Sequence, residues 1–164
     1  MRYLAENRLN IFEFHDSFWT FYEMDENRYS VCVKDLNLHQ SAPENPYEQD
    51  MGIANAIITF WGYRVKSVEK LASRTLDYNG NLIDETPAVL LCENDAEQYF
   101  FDELKQGIYL NGLSFSMHNH DLHIEIETTG PRLEAFSAIL DVQRVTVEWD
   151  DYTSPAWYEK RKPI

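Results

Sequence analysis

Two segments of this chain alternate apolar and polar residues with a period of two, and turn-forming residues interrupt each of them in the middle. The first is TFYEMDENRYSVCVKDL (20–36) and the second is GLSFSMHNHDLHIEIETTGP (112–131). Successive side chains of a strand point to opposite faces of a sheet, so each segment predicts a β-hairpin. The turns are expected at Asp25–Arg28 and at His118–Asp121. This pattern favours an antiparallel β fold.

The two predicted hairpins align with each other when the sequence is shifted by 93 positions. Their strands have the same spacing and their turns have the same length. We therefore expect two similar halves, about 12–70 and 108–152, although two unrelated alternating hairpins would also align. The alignment places Thr20, Tyr22 and Met24 on Leu113, Phe115 and Met117, and Tyr29, Val31 and Val33 on Leu122, Ile124 and Ile126.

The period changes only in ENDAEQYFFDELKQG, where Ala96, Phe100 and Leu104 fall at helical spacing. We predict one short helix at about 95–106, capped by Asn94 or Asp95 and ended by Gly107. An Asn-Gly pair at 79–80 predicts a further turn, and the segment 133–140 fits helix or strand, with strand favoured. The fold expected is a single mainly β domain over 1–164, either an antiparallel sandwich or a partly open barrel.

Charge and composition restrict the partners. The chain carries 28 acidic residues against 14 Lys and Arg, a formal net charge of −14. This charge disfavours binding to nucleic acid or to an anionic membrane and suits a basic protein partner. No apolar run is long enough to span a bilayer and no leader peptide is expected. Cys32 and Cys92 form no CxxC pair, which favours a reduced, cytoplasmic protein.

The acidic residues concentrate in two places that are candidates for a partner-binding surface. An acidic run is either a solvated face or a docking patch, and the sequence leaves both open. The WDDYTSPAWYEK terminus places aromatic residues beside acids, a composition that suits a basic partner. The candidates are Asp84, Glu85, Glu93, Asp95, Glu97, Asp102 and Glu103 in the first place, and Asp150, Asp151 and Trp157 in the second.

Three histidines, His118, His120 and His123, lie within six positions and raise the possibility of a metal site. Zinc needs three or four ligands in a fixed geometry, but His15 and His39 are isolated and the alternation places the cluster in a turn. We therefore favour a turn, and expect no metal and no other cofactor. The chain has no GxSxG, P-loop, GxGxxG or HExxH motif, so no catalytic residue is predicted.

Four segments carry a resemblance to a known group of proteins: FHDS (14–17), NPYEQDM (45–51), ITFWGY (58–63) and VEWDDYTSPAWYE (147–159). Over roughly 12–158 the chain resembles uncharacterised small, acidic, β-rich bacterial domains, some of which are similar to toxin-immunity proteins. The resemblance implies a binding protein and not an enzyme, and it assigns no functional residue.

These observations favour a non-catalytic cytoplasmic protein that neutralises a basic toxin or another basic partner through its acidic surface. The oligomeric state is left open. Two alternatives are a small-ligand-binding β-barrel that uses the aromatic residues, and a metal-dependent enzyme that uses His118, His120 and His123.

Overall fold

A computed structural model describes residues 1–132 and 134–159, which are mainly antiparallel β-strands with one α-helix among them. A short 3-10 helix, Leu9–Ile11, lies near the start, and the α-helix is α1 (Glu93–Gln106). The strands are β1 (Tyr3–Glu6), β2 (Phe12–Glu13), β3 (Phe18–Met24), β4 (Arg28–Leu38), β5 (Met51–Trp61), β6 (Arg64–Lys70), β7 (Ser73–Leu76), β8 (Leu82–Thr86), β9 (Val89–Cys92), β10 (Ile108–His118), β11 (Asp121–Thr129), β12 (Ala135–Val142), β13 (Arg144–Trp149) and β14 (Tyr152–Pro155).

Twelve strands form one sheet with the order β1-β13-β5-β4-β3-β10-β11-β12-β6-β9, to which β14 and β2 add beside β5 and β4. Strands β5 and β6 stand six places apart in this order, yet only residues 62 and 63 join them. Six steps of about 4.8 Å would separate them by about 29 Å in a flat sheet, far beyond the reach of two residues. The sheet therefore bends back on itself and brings β5 and β6 together. Among the described strands it does not close into a barrel.

The strand order is the same in both halves of the chain. Strands β3, β4 and β5 pair in sequence, and the strand that follows, β6, leaves them to pair with β12. Strands β10, β11 and β12 likewise pair in sequence, and β13 leaves them to pair with β5. That the two halves are similar units, and that they arose by duplication, stays a prediction.

Because of a β-bulge in β3, the residues of the first hairpin that face the core differ from those predicted. The pairing of β3 with β4 shifts at Tyr22, so that Phe21 lies opposite Val31 and Trp19 lies opposite Val33. The inward residues are therefore Trp19 and Phe21, while Tyr22 and Met24 are 56% and 41% exposed. The prediction that Thr20, Tyr22 and Met24 share the equivalent of the Leu113–Phe115 face is wrong for Thr20 and Tyr22. One extra residue reverses the alternation after Phe21, so Met24 lies opposite Tyr29, as Met117 lies opposite Leu122.

Helix α1 packs against β6 and β3 and fills one end of the core. Ala96, Phe100 and Leu104 are fully buried, as their spacing predicted, and Phe101 packs edge-on against Tyr29 at 5.1 Å. The helix ends at Gly107 as predicted. The predicted cap is wrong: the helix begins at Glu93, and no side chain caps it.

The remaining predicted elements are present. The Asp25–Arg28 turn joins β3 to β4, the Asn-Gly turn joins β7 to β8, and the ambiguous segment 133–140 is largely strand β12. Leu133 itself lies outside the described residues.

Candidate protein-interaction surface

Strands β7 and β8 form a separate two-stranded sheet. All nine of their residues, four in β7 and five in β8, are exposed, so neither face of this hairpin is covered. An isolated two-stranded hairpin is marginally stable in water. Interactions within its turn must therefore stabilise this hairpin. Its full exposure suggests a role that requires exposure.

The turn of this hairpin is held by the side chain of Asp77. Its Oδ1 accepts hydrogen bonds from the backbone N–H groups of Asn79 and Asn81, both at 2.8 Å, and its Oδ2 accepts one from Asn81 Nδ2 at 2.9 Å. The side-chain hydrogen bond from Asn81 and those from the backbone lower the pKa of Asp77. This ordered turn carries Tyr78, whose side chain is 97% exposed.

Apolar side chains continue from the hairpin onto the sheet edge. Leu76 lies opposite Leu82 across the hairpin, and both are exposed together with the neighbouring Ile83. Strand β9 follows and exposes Val89 and Leu90. Single exposed apolar residues are common on proteins, but a series along one hairpin and one strand is typical of an interaction site. We call residues 73–92 the hairpin surface.

Strand β9 is an open edge of the main sheet. It pairs with β6 from Val89 to Cys92, and no other described strand pairs with it. An exposed edge presents unpaired backbone N–H and C=O groups to any further strand, and proteins usually protect such edges with charges or proline. The apolar side chains of β9 offer no such protection.

Six of the acids predicted for partner binding are on or next to the hairpin surface. Asp84 and Glu85 are exposed on β8, where Arg74 Nε donates a hydrogen bond to Glu85 at 2.7 Å. Glu93, Asp95, Glu97 and Asp102 follow on α1. Glu93 and Glu97 line a groove of about 710 Å³ together with the basic Arg64 and Lys66.

The prediction that the seventh acid of that stretch, Glu103, contributes to a partner-binding surface is wrong. Its side chain is buried, with 2% of the residue exposed, and it forms an ion pair of 3.1 Å with Arg132. A buried carboxylate cannot contact a partner. Glu103 lies seven positions after Ala96 and three after Phe100, so the helical spacing already placed it on the buried face of α1.

The C-terminal candidates belong to a different part of the fold. Asp150 and Asp151 join β13 to β14, and Asp150 Oδ1 accepts a hydrogen bond from the Arg2 backbone N–H at 2.7 Å. Trp157 packs edge-on against Tyr158. These three candidates therefore belong to β13, β14 and the segments beside them, whereas the other seven lie on β8 and α1.

The histidine cluster forms a two-residue hairpin turn between β10 and β11. Asn119 and His120 occupy the turn with φ of +49° and +75°. His118 and His123 have perpendicular rings 5.6 Å apart, and His123 Nδ1 lies 2.8 Å from Asp141 Oδ1. Over residues 1–132 and 134–159, no group of three or more His, Cys, Asp or Glu side chains converges as a metal site.

Asp141 links this turn to strand β6. Besides His123, its carboxylate contacts Arg64 at 3.1 Å and Lys66 at 3.5 Å. Partial burial raises the pKa of Asp141, but the hydrogen bonds from His123 and Arg64 outweigh burial and lower it overall. Ser116 lies opposite His123 in the strand register, but no hydrogen bond joins the two side chains in the described structure.

Comparison with known proteins gives no guide to this surface: no family model, no curated protein and no solved structure matches the chain. The α-helix described here is also too short and too polar to cross a membrane.

Sequence reasoning missed the apolar part of the hairpin surface. The segment TLDYNGNLIDET has an Asn-Gly turn, but its apolar residues do not alternate cleanly. One signal was available: no other segment of the chain offers apolar residues that match those of this hairpin. The direction in which the hairpin projects depends on long-range pairing and has no local signal.

Proposed function

We propose that this protein is a non-catalytic binding protein and that its hairpin surface docks a basic partner protein. The observation that carries the proposal is the exposure of Leu76, Leu82 and Ile83, each more than half exposed, on a hairpin with two open faces. Fully covering a Leu or Ile side chain contributes about 1.5–3 kcal/mol. A partner that covers these three residues therefore gains a substantial part of its binding free energy from them.

Edge strand β9 supplies a second mode of contact. An extended segment of a partner can add to an open edge, with backbone hydrogen bonds giving affinity and alternate side chains giving specificity. In this proposal the partner covers Val89 and Leu90 and pairs with the free edge of β9.

Charge supports the basic character of the partner. The chain has a formal net charge of −14, and Asp84, Asp95 and Asp102 are exposed on or beside the hairpin surface. The electrostatic field of these negative charges speeds the encounter with a basic protein, while covered apolar contacts determine how long the complex lasts. We assign the first role to the acids and the second to the apolar residues.

The specific form of the proposal is an immunity-type role in the cytoplasm, with a basic toxin as the partner. The resemblance of the FHDS, NPYEQDM, ITFWGY and VEWDDYTSPAWYE segments motivates this form. Cys32 and Cys92 are both free thiols, as is usual for proteins of reducing compartments.

The test is affinity purification from the native host at low salt, with cross-linking and mass spectrometry of the intact protein. We expect one basic protein to be recovered, with cross-links to residues 73–102. The double variant Leu82→Ser/Ile83→Ser should weaken the complex at least tenfold, since a loss of about 1.4 kcal/mol of binding free energy raises the dissociation constant tenfold. The matched control is Met117→Ser, since Met117 is 62% exposed on another hairpin.

The acids have a separate test on the purified pair. Asp95→Asn/Asp102→Asn should slow association at low salt and leave the dissociation rate nearly unchanged. The proposal is rejected if the recovered partner is acidic, if the cross-links lie outside 73–102, or if the hairpin variant binds as tightly as the Met117→Ser control.

A further inference from the structure

A small pocket, which we call the Asp35 pocket, lies between β4, β5 and β14. Its volume is about 150 Å³, and its lining includes Asp35, Asn37, Gly52, Thr153, Ser154 and Trp157. Gly52 lies between Asn37 on β4 and the irregular segment of β14, where the pairing with β5 shifts between Tyr152 and Pro155. A Cβ at Gly52 would lie 3.0 Å from Thr153 Oγ1, so the missing side chain lets the β14 segment approach β5 closely.

Hydrogen-bond acceptors dominate the pocket. Thr153 Oγ1 donates its hydrogen to the Gly52 carbonyl at 3.1 Å, and Ser154 Oγ donates to the Pro155 carbonyl at 3.2 Å. Both hydroxyl oxygens therefore have only lone pairs left to offer. The carboxylate of Asp35 adds two more acceptors, and no described residue forms an ion pair with it. A ligand that suits this set is a cation with several N–H donors.

Asn37 provides an independent sign that the pocket takes a ligand. The residue is 4% exposed and lines the pocket, yet its Nδ2 has no hydrogen-bond partner among the described residues. A buried donor without a partner costs about 1–3 kcal/mol, and native proteins seldom leave one unsatisfied. A carbonyl oxygen next to the cationic group would satisfy it.

Trp157 bears on which cation fits. The residue lines the pocket and is 47% exposed. A guanidinium group is planar, stacks on aromatic faces and presents five donors in a rigid fork, whereas an ammonium is a compact, strongly hydrated charge. A pocket of about 150 Å³ has room for several water-sized groups, and so for a guanidinium and its nearest methylenes.

We propose that the Asp35 pocket binds the side chain of an arginine in a protein segment. The carboxylate of Asp35 pairs with the guanidinium, Trp157 stacks on it, and Asn37 donates to a carbonyl of the same segment. This proposal goes beyond the docking of a partner on the hairpin surface and does not depend on it, because the pocket and the hairpin are built from different strands.

The test uses the full-length protein labelled with ¹⁵N and the peptide acetyl-Gly-Arg-Gly-amide. We expect the peptide to shift the NMR signals of the Gly52 and Thr153 amides and of the Asn37 side-chain NH₂, with a dissociation constant of about 1 mM or below. The citrulline peptide has the same shape without the charge and should bind at least tenfold more weakly. The lysine peptide should also bind more weakly, because an ammonium stacks less well on an aromatic ring and lacks the rigid pair of donors that a guanidinium presents to a carboxylate.

Variants locate the binding. Asp35→Asn should weaken arginine-peptide binding at least tenfold and still fold, because asparagine tolerates the positive φ of +58° found at Asp35. Asp151→Asn, an exposed acid outside the pocket lining, should leave binding unchanged, as should Leu82→Ser/Ile83→Ser on the hairpin surface. The proposal is overturned if citrulline binds as well as arginine, if Asp35→Asn binds normally, or if the shifted signals lie elsewhere.

Discussion

At the scale of single residues, the backbone at His120 is under local constraint. Six non-glycine residues have positive φ, and four of them are Asn or Asp, which tolerate this region because their short polar side chains bond locally. The other two are Glu93, at φ +53°, and His120, at φ +75°. The two-residue turn between β10 and β11 is of the kind that prefers Asn-Gly, and this chain has Asn-His.

We expect His120→Gly to stabilise the protein by about 1 kcal/mol, because glycine removes the cost of a left-handed conformation. Urea unfolding measures the change. Asn119→Gly is the matched control: Asn119 already suits its φ of +49°, so this variant should change stability by only a few tenths of a kcal/mol. An equal gain from both variants would contradict the explanation.

A second prediction at this scale concerns Asp141, whose pKa is lowered below the usual 3.8 by His123 and Arg64. A lowered pKa means that the carboxylate stabilises the fold fully above pH 3.8 and loses that contribution as the pH falls through the folded value. Asp141→Asn should therefore cost about 1–2 kcal/mol at pH 7 and progressively less at acid pH.

Urea unfolding at pH 7, 5, 4 and 3 checks this prediction, with Glu125→Gln on the exposed face of β11 as the control. A difference between wild type and Asp141→Asn that stays constant down to pH 3 would show that the lowered pKa makes no contribution.

At the scale of elements, local sequence patterns predicted the strands, turns and helix that depend on residues close together in the chain. Alternation predicted the β10–β11 hairpin, and helical spacing predicted α1 and its end at Gly107. The face predicted for Thr20 and Tyr22 on β3 was wrong because the bulge at Tyr22 depends on pairing with β4 and has no local signature. The same limit explains the acids: spacing within α1 could have shown that Glu103 is buried, but no local pattern separates Asp150 and Asp151 from the hairpin surface.

The link between α1 and β10 yields an element-scale prediction. Gly107 has φ +97°, and a Cβ there would lie 2.4 Å from Phe18 Cζ. Gly80, in the β7–β8 turn, has φ +84° but open space around it. Gly107→Ala should therefore cost about 3 kcal/mol, combining backbone strain with overpacking, whereas Gly80→Ala should cost about 1 kcal/mol from strain alone.

Thermal or urea unfolding of the two variants separates the two contributions. Equal costs at the two positions would mean that the Phe18 ring moves aside freely and that close packing at the helix end adds nothing.

At the scale of the whole molecule, the exchange of strands between the halves is the feature that sequence could not supply. Strand β6 follows β5 in the chain but pairs with β12, from Lys70 opposite Phe136 to Arg64 opposite Asp141. Such pairing joins residues about 70 positions apart, so no local window contains it. The 93-residue shift predicted that the halves resemble each other, and this stays a prediction. The shift could not predict that each half completes the other.

This exchange predicts how the molecule unfolds. Strand β13 lies between β5 and β1, and β6 lies between β12 and β9, so neither half keeps its sheet or its share of the common core without the other. We therefore expect one cooperative transition in urea, with identical midpoints by far-ultraviolet circular dichroism and tryptophan fluorescence.

Cleavage of the exposed turn at Asn79–Gly80 is the informative control. The fragments before and after it should each be unfolded alone and should regain native spectra when mixed, because every pairing between the halves forms across that cut. Two separate transitions, or one fragment that folds alone, would mean that each half is stable by itself and that the exchanged strands contribute little.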